Sequence, residues 1–367
     1  MSKNYKVLRY HPEFKNQIID LQSHLWSPDK RLNSNYLEWK YNNNPYIEKP
    51  IIYLVLYDNR VVGMRGMYGA KWQFGQQYQT SIVPCAGDLV IHPDHRNRGL
   101  FTYLMSVAMD DLSQCGHKYV FNLSASPKTL ISSLGIGWHS IGSLQTMYWL
   151  SESYNQWNYP SKRFFLSSDE NDHPFHSLDR NNSKDLSEVS QNVSIDCSPK
   201  PEEMAELLDR INNNDRIKHV RDQQYFKWRF QNPLSQYRFL YWNDTRLEGY
   251  IVLQTSVYTD NICWISIVDI EASSEIVLRD LLNSAINFGK FGFITIWTST
   301  LKEDINSLLI KTGFKILKKK IGVADARPTV LVGSTNSEIL NEDWVLFNLR
   351  LLDLKNWDIR MIFSDTY

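Results

Sequence analysis

The chain has 367 residues, 43% hydrophobic and 22% charged, a composition that excludes disorder of the whole chain. Lysine plus arginine and aspartate plus glutamate number 40 each, so the formal net charge is zero, which argues against nucleic acid or an anionic membrane as a partner. At roughly 100–200 residues per domain, the length suggests two domains.

In chain order, the opening MSKNYKVLRYHPEF lacks the apolar core of a secretion signal. No later run approaches the roughly 18 apolar residues of a membrane span, so a cytoplasmic protein is expected. HPEFKNQIIDLQSHL (11–25) reads as helix and is followed by YLEWKYNNNP (36–45). Two strands joined by a polar turn, IIYLVLYDNRVVG, end at Gly63. VPCAGDLVI (83–91) is strand-like, and FTYLMSVAMDDLSQCG is an amphipathic helix ending at Gly116. HKYVFNLS, a short helix and the pair Gly137-Trp138 follow.

The series then recurs. PEEMAELLDRIN (201–212), YFKWRFQNP (225–233), YRFLYWNDTRLEG ending at Gly249, ISIVDIEA (265–272), VLRDLLNSAINFGKFG ending at Gly292, FITIWTST and Gly313-Phe314 keep the same order. Asp269 falls opposite Asp88, and Trp228 opposite Trp39; both tryptophans read as packing residues. The chain is thus expected to hold two copies of one α/β unit, 1–150 and 191–367, joined by a polar linker, 151–190. The last stretch, 336–367, reads as strand-rich and is expected to pack on the second unit.

The segment with the most chemistry is Asp88-Leu89-Val90-Ile91-His92-Pro93-Asp94-His95-Arg96-Asn97-Arg98-Gly99-Leu100-Phe101. A strand ends at a proline, a tight loop with two arginines and a glycine follows, and a helix starts at once. Such a layout gathers backbone N–H groups at a helix N-terminus, where the helix dipole favours negative charge. Arginine side chains add charge-assisted bonds. A diphosphate is the natural guest. The sequence is neither a GKS/T phosphate loop nor GxGxxG.

Arg96-Asn97-Arg98-Gly99-Leu100-Phe101, preceded by Val90-Ile91-His92-Pro93, resembles the acyl-CoA signature Arg/Gln-x-x-Gly-x-Gly/Ala of the GNAT superfamily of N-acyltransferases. The order of elements over residues 5–150 resembles it too, and the repeat implies a tandem-GNAT protein. The resemblance implies an α/β (α+β) fold whose two units are mixed, mostly antiparallel sheets flanked by helices. One departure is Phe101, where the signature has Gly or Ala. The resemblance also implies roles. N–H groups from Arg98 to Phe101, with Asn97 in the same turn, hold the diphosphate, with Arg96 and Arg98 near it. Leu89, Val90 and Ile91 pair with the pantetheine arm, and a backbone N–H near Val90 serves the oxyanion. Asn122 to Ser126 flank the thioester. The co-substrate is acetyl-CoA or another acyl-CoA, with no metal.

The second copy departs at this loop. Asp88 to Gly116 spans 28 residues but Asp269 to Gly292 only 23, and both arginines are missing. Counting back from the paired glycines sets Glu275 opposite Gly99. A carboxylate there repels a diphosphate, so the second unit is expected not to bind CoA.

Acyl transfer needs a neutral amine, a stabilised oxyanion and a protonated leaving thiolate. Asp88 is the expected base, with His92 and His95 as runners-up. The superfamily's usual acid is a tyrosine on the short helix after the fifth strand. Here PKTLISSLGIGW has none, and Ser133 stands in its place. Of the other histidines, His11, His117, His173 and His176 form no metal-ligand cluster. Cys85, Cys115, Cys197 and Cys263 are scattered and read as reduced thiols. The expected function is an acyl-CoA-dependent N-acyltransferase acting on a small amine, such as an amino sugar, in a ternary complex. Two alternatives are an acyl-CoA-binding scaffold without catalysis and an aminoacyl-tRNA-dependent transferase of the same fold.

Overall fold

The computed structural model describes residues 4–75, 79–151, 190–211, 215–256, 264–287, 292–317, 328–336 and 341–364. The polar linker, including His173 and His176, and Cys263 therefore lie outside the described residues, apart from the linker's two ends.

The first sheet begins with β1 (Tyr5–Arg9), β2 (Ile51–Tyr57), β3 (Arg60–Phe74) and β4 (Gln79–Ile91), all antiparallel neighbours. The β2 sequence IIYLVLY is buried along almost its whole length, which fits a strand covered on both faces. One face carries α1 (Lys15–Gln22) and α2 (Lys30–Leu37), which runs on as a wider turn to Asn42. The other carries α3 (Leu100–Gln114). Leu100, Leu104, Met105, Ala108, Met109 and Leu112 form the buried stripe of α3, the spacing of one helix face. β5 (Tyr119–Ala125) runs parallel to β4, but the two pair only at Cys85 and Phe121. No further β4–β5 pair follows toward the Ile91 end of β4. α4 (Pro127–Leu134), β6 (His139–Ser143) and β7 (Thr146–Leu150) follow.

The second sheet repeats the plan with β8 (Val193–Asp196), β10 (Ser235–Asn243), β11 (Leu247–Ser256), β12 (Trp264–Ala272) and β13 (Phe293–Trp297). Its helices are α5 (Pro201–Ile211), α6 (Gln223–Arg229), α7 (Glu275–Asn287) and α8 (Glu303–Lys311). The short β9 (Ile217–His219) lies between them in the chain but pairs with β3 of the first sheet.

The sheets do not respect a division at 150 and 191. β7 leaves the first unit and lies between β13 and β14 (Lys315–Ile316) of the second. In return β15 (Thr329–Ser334) lies between β5 and β6 of the first sheet. The link between β6 and β7, Leu144-Gln145, crosses from one sheet to the other instead of closing a hairpin. Leu144 N–H donates to Pro328 O at 2.9 Å, and Thr298 N–H donates to Gln145 O at 2.8 Å. Each unit is completed by a strand from the other.

The repeated tryptophans meet at the junction. Trp39 and Trp228 stack with ring centroids 5.1 Å apart and planes 12° from parallel. Each indole N–H donates to the other residue's carbonyl at 2.8 Å. This reciprocal contact is what a pseudo-twofold axis between two copies produces.

Among its described residues the chain's last stretch holds two-residue strands, β16 (Val345–Leu346), β17 (Leu349–Arg350) and β18 (Trp357–Asp358), and tight turns of three or four residues. It touches both units. Arg360 bonds Ile270 and Glu271 of the second, while Tyr68 of the first donates to Phe363 O at 2.6 Å.

Candidate active site

β4 ends at Ile91, and Pro93–His95 make one tight turn. Asn97 and Gly99 both have left-handed backbone, with φ of 60° and 71°. A Cβ on Gly99 would meet nothing within 4 Å, so the glycine is there for conformation and not for space. Arg96 Nε donates to Ile91 O at 3.0 Å. Arg98 donates to Asp94 O at 2.9 Å and to the Tyr5 hydroxyl at 3.0 Å. Both guanidinium groups are thereby held in the turn. No side chain caps α3, and among the described residues no hydrogen bond closes on the N–H groups of Arg98, Gly99, Leu100 or Phe101. The Phe101 ring packs against the core between α3 and the sheet. The departure at 101 thus leaves the loop open, and the donor set fits a diphosphate.

Leu89 to Ile91 lie past the last β4–β5 pair, so their β5-side edge has no strand partner. On β5, Asn122 is buried and accepts from Ser124 N–H at 3.3 Å. Ser126 caps α4, accepting from Thr129 N–H at 3.4 Å.

Asp88, on β4 just before Leu89, is 2% exposed. Its carboxylate takes the Lys40 ammonium at 2.8 Å, the Tyr41 hydroxyl at 2.9 Å, the Trp26 indole at 3.2 Å and Gln22 at 3.3 Å. Gly87 and Asp88 together face Gly66, a bulge in β4. Gly66 has no room for a Cβ, which would overlap the Tyr41 ring. The Lys40 ammonium, itself 1% exposed, also sits among the rings of Trp26, Tyr36, Tyr41 and Tyr68 at 5.1–5.9 Å. A base at Asp88 therefore has to work through this network. Both oxygens are engaged, and the nearest cation is a buried lysine that needs the pair.

Ser133 is 1% exposed, and its carbonyl accepts from Ile136 and Trp138 N–H groups. Its hydroxyl is therefore not presented to solvent. His92 and His95 stand in the anion turn, four or more residues past Asp88, which is roughly 13 Å along an extended strand. The structure thus places Leu89 to Phe101 as one continuous strand end, turn and helix start, with His92 and His95 in the turn and away from Asp88.

Lys40, Tyr36, Tyr41 and Trp26 were not singled out from the sequence as site residues. A signal was present. YLEWKY and YFKWRF each place a basic residue directly after the tryptophan. The second such residue, Arg229, is buried and donates to the carbonyls of Ile362 and Ser364 at 2.7 and 3.1 Å. Ser364 in turn meets Ser124 at 2.9 Å. A narrow cleft between the units, lined by Trp39, Lys40, Tyr68, Trp228, Arg229 and Phe363, lies beside the network.

The second copy has the opposite character at each point. The residue that caps α7 is Ser274, which accepts from Val277 N–H at 3.4 Å. Glu275 is the first helical residue, the place Leu100 holds in α3, one position on from where counting back from Gly292 sets it. Its carboxylate pairs with Arg279 at 2.8 Å. The edge of β12 is also filled. Arg360 donates to Ile270 O at 3.1 Å, and Ile359 is tied to Thr300 by two bonds of 2.8 Å. Asp269 persists, buried and paired with Arg221 at 2.6 Å. Arg221 lies upstream of α6, so the partner of the bulge carboxylate comes from a different place than Lys40 does.

Residues 8–138 match the family model described as an acetyltransferase (GNAT) domain. No curated protein matches the sequence. Among solved structures, a GCN5-related N-acetyltransferase from Anabaena variabilis is similar at 12% identity, with a TM-score of 0.59 over 90% of this chain and 73% of that one. A tandem GNAT protein from the clavulanic acid biosynthesis pathway has 13% identity and a TM-score of 0.53 over 91% of this chain and all of that one. Eis1 from Mycobacterium abscessus has 12% identity and a TM-score of 0.52 over 91% of this chain and 74% of that one. At such identities the likeness is one of fold. Among the described residues no helix is long and apolar enough to cross a membrane.

Proposed function

We propose that this chain, which has a tandem-GNAT fold and whose residues 8–138 match an acetyltransferase (GNAT) domain model, is an acyl-CoA-dependent N-acyltransferase with a single donor site, in the first unit. The observation that carries this reading is the contrast between two helix starts. α3 opens with uncapped N–H groups, a left-handed glycine and two arginines, while α7 opens with a serine cap and a glutamate. An anion is favoured at the first and opposed at the second.

The diphosphate of acetyl-CoA takes the N–H groups from Arg98 to Phe101, and the pantetheine arm lies along Leu89 to Ile91. The thioester reaches the bulge at Gly87 and Asp88, opposite Asn122 to Ser126. A small neutral amine attacks the carbonyl carbon. The C–N bond forms, the C–S bond breaks, and the CoA thiolate takes a proton. Orientation of the two reactants supplies much of the rate, as much as roughly 7–11 kcal/mol in well-aligned systems. Asp88 holds Lys40 at the cleft. In this reading it acts as a base only by relaying the proton through that pair. Release of CoA thiol from acetyl-CoA across a panel of small amines tests the assignment. Asp88→Asn with unchanged kcat/KM over the pH range removes its base role.

A second reading is an acyl-CoA-binding protein without turnover. It is favoured by the absence of a tyrosine in α4 and by the buried Ser133. Thermal stabilisation by acetyl-CoA with no thiol release from any amine selects it.

A further inference from the structure

The anion turn carries more titratable groups than a diphosphate cradle needs. The Tyr5 hydroxyl, on β1, lies 2.9 Å from His95 Nδ1 and accepts from Arg98 at 3.0 Å. Tyr57, on β2, packs on both the Tyr5 ring (4.9 Å) and the His95 ring (5.0 Å). The His92 ring is 5.9 Å from His95, and His24 lies 5.1 Å from His92 on its other side. Asp94 is the acidic neighbour, 3.7 Å from His92.

A phenol oxygen has one hydrogen to give. With Arg98 already donating to it, the Tyr5 hydroxyl is free to point that hydrogen at His95 Nδ1, provided His95 is neutral. We propose that Tyr5 and His95 form a proton-sensitive latch that holds Arg98 back in the turn, and that His95 takes up a proton when a diphosphate binds. Once His95 carries a proton on Nδ1, it and Arg98 both donate to one oxygen, and two cations meet there. Arg98 is then released toward the anion, which also welcomes the new charge on His95. Both effects have the same sign, so a diphosphate binds more tightly as pH falls. Burial, Arg98 and His92 all hold the free His95 below the ordinary histidine range, so the empty site keeps the latch closed at neutral pH.

This inference rests on the diphosphate reading of the loop, and the test separates the two. The probe is acetyl-dephospho-CoA, because it lacks the 3′-phosphate whose own titration near pH 6 would confuse the result. Calorimetry in buffers of differing ionisation enthalpy measures affinity and proton uptake between pH 8 and pH 6. The wild-type chain is expected to bind several-fold more tightly at the lower pH, part of the tenfold that one unit of pKa coupling gives below both values, with net proton uptake. His95→Gln is expected to bind with a flat profile and no uptake. Tyr5→Phe keeps the titrating group but removes its hydroxyl partner, so uptake persists with a midpoint at higher pH. No binding by wild type overturns the donor-site reading and the latch together. Binding without pH dependence, or a His95→Gln profile equal to wild type, overturns the latch alone.

Discussion

Leu331 offers the sharpest test of the exchanged strands. It belongs by sequence to the second half of the chain, yet it is 0% exposed in the core of the first unit, with Leu100, Leu104, Val120 and Trp138. Its strand pairs with β5 at Asn122 and with β6 at Ser140. Truncation to alanine removes buried methyl groups and leaves a cavity, at a cost of about 3–4 kcal/mol. Against a total of about 5–15 kcal/mol this is a large fraction, and for a unit of this size it lowers Tm by about 6–16 °C. Hydrogen exchange followed by mass spectrometry shows where the loss falls. Leu331→Ala is expected to raise exchange in 100–114 and 119–125, with 275–287 little changed. Met147→Ala, in β7, is the reciprocal variant. Met147 is buried in the second core, so 275–287 and 293–297 are expected to loosen while 100–114 holds. If Leu331→Ala spares 100–125 and loosens 275–287, the exchange is refuted.

Three further outcomes follow from the geometry. Lys40→Met leaves Asp88 buried beside no lysine and is expected to cost about 3–5 kcal/mol in urea unfolding, much of it recovered when Asp88→Asn is added. Trp228→Phe removes the indole donor from the Trp39 carbonyl, at about 1–3 kcal/mol, while Trp39→Phe is expected to cost less, because the Trp228 carbonyl also accepts from Gln231 N–H at 3.1 Å; because the two bonds share one stack, a double-mutant cycle is expected to show clear non-additivity. His219 is fully enclosed, and burial pushes it down to about 3. The unfolded chain then binds a proton that the folded one does not between about pH 6.5 and pH 3, so stability is lost as pH falls through that window, by about 1.4 kcal/mol per unit; His219→Phe is expected to flatten that part of the curve.

Much of the fold was legible because its local signals were strong. The repeated Trp-basic motif, the amphipathic stripe of α3 and the glycine before it all depend on residues near in sequence. The opposed helix starts at 100 and 275 were legible for the same reason, to within a residue. The exchanged strands were not. TMYWL and TVLVGS are both short apolar runs, and nothing in either says which sheet it joins. Their pairing is decided by contacts across about 150 residues and more of chain, which a local pattern does not encode. Asp88 was legible as a carboxylate on the right strand, but its surroundings were not. Its partner Lys40 comes from a helical turn 48 residues earlier, and only the fold brings the two together. The closing stretch was misjudged for a related reason. WVLFNLRLLDLKNWDIRMIF has strand-like composition, yet Arg360 and the turn at Met361–Phe363 are fixed by fitting between two units.

The account stands most directly on the number of acyl-CoA molecules bound per chain. Calorimetric titration of the full chain with acetyl-CoA is expected to give one site, which Gly99→Val weakens strongly because a β-branched residue does not hold left-handed backbone, and which Glu275→Ala leaves unchanged. Two sites per chain, or a single site that survives Gly99→Val and is lost with Glu275→Ala, would contradict it.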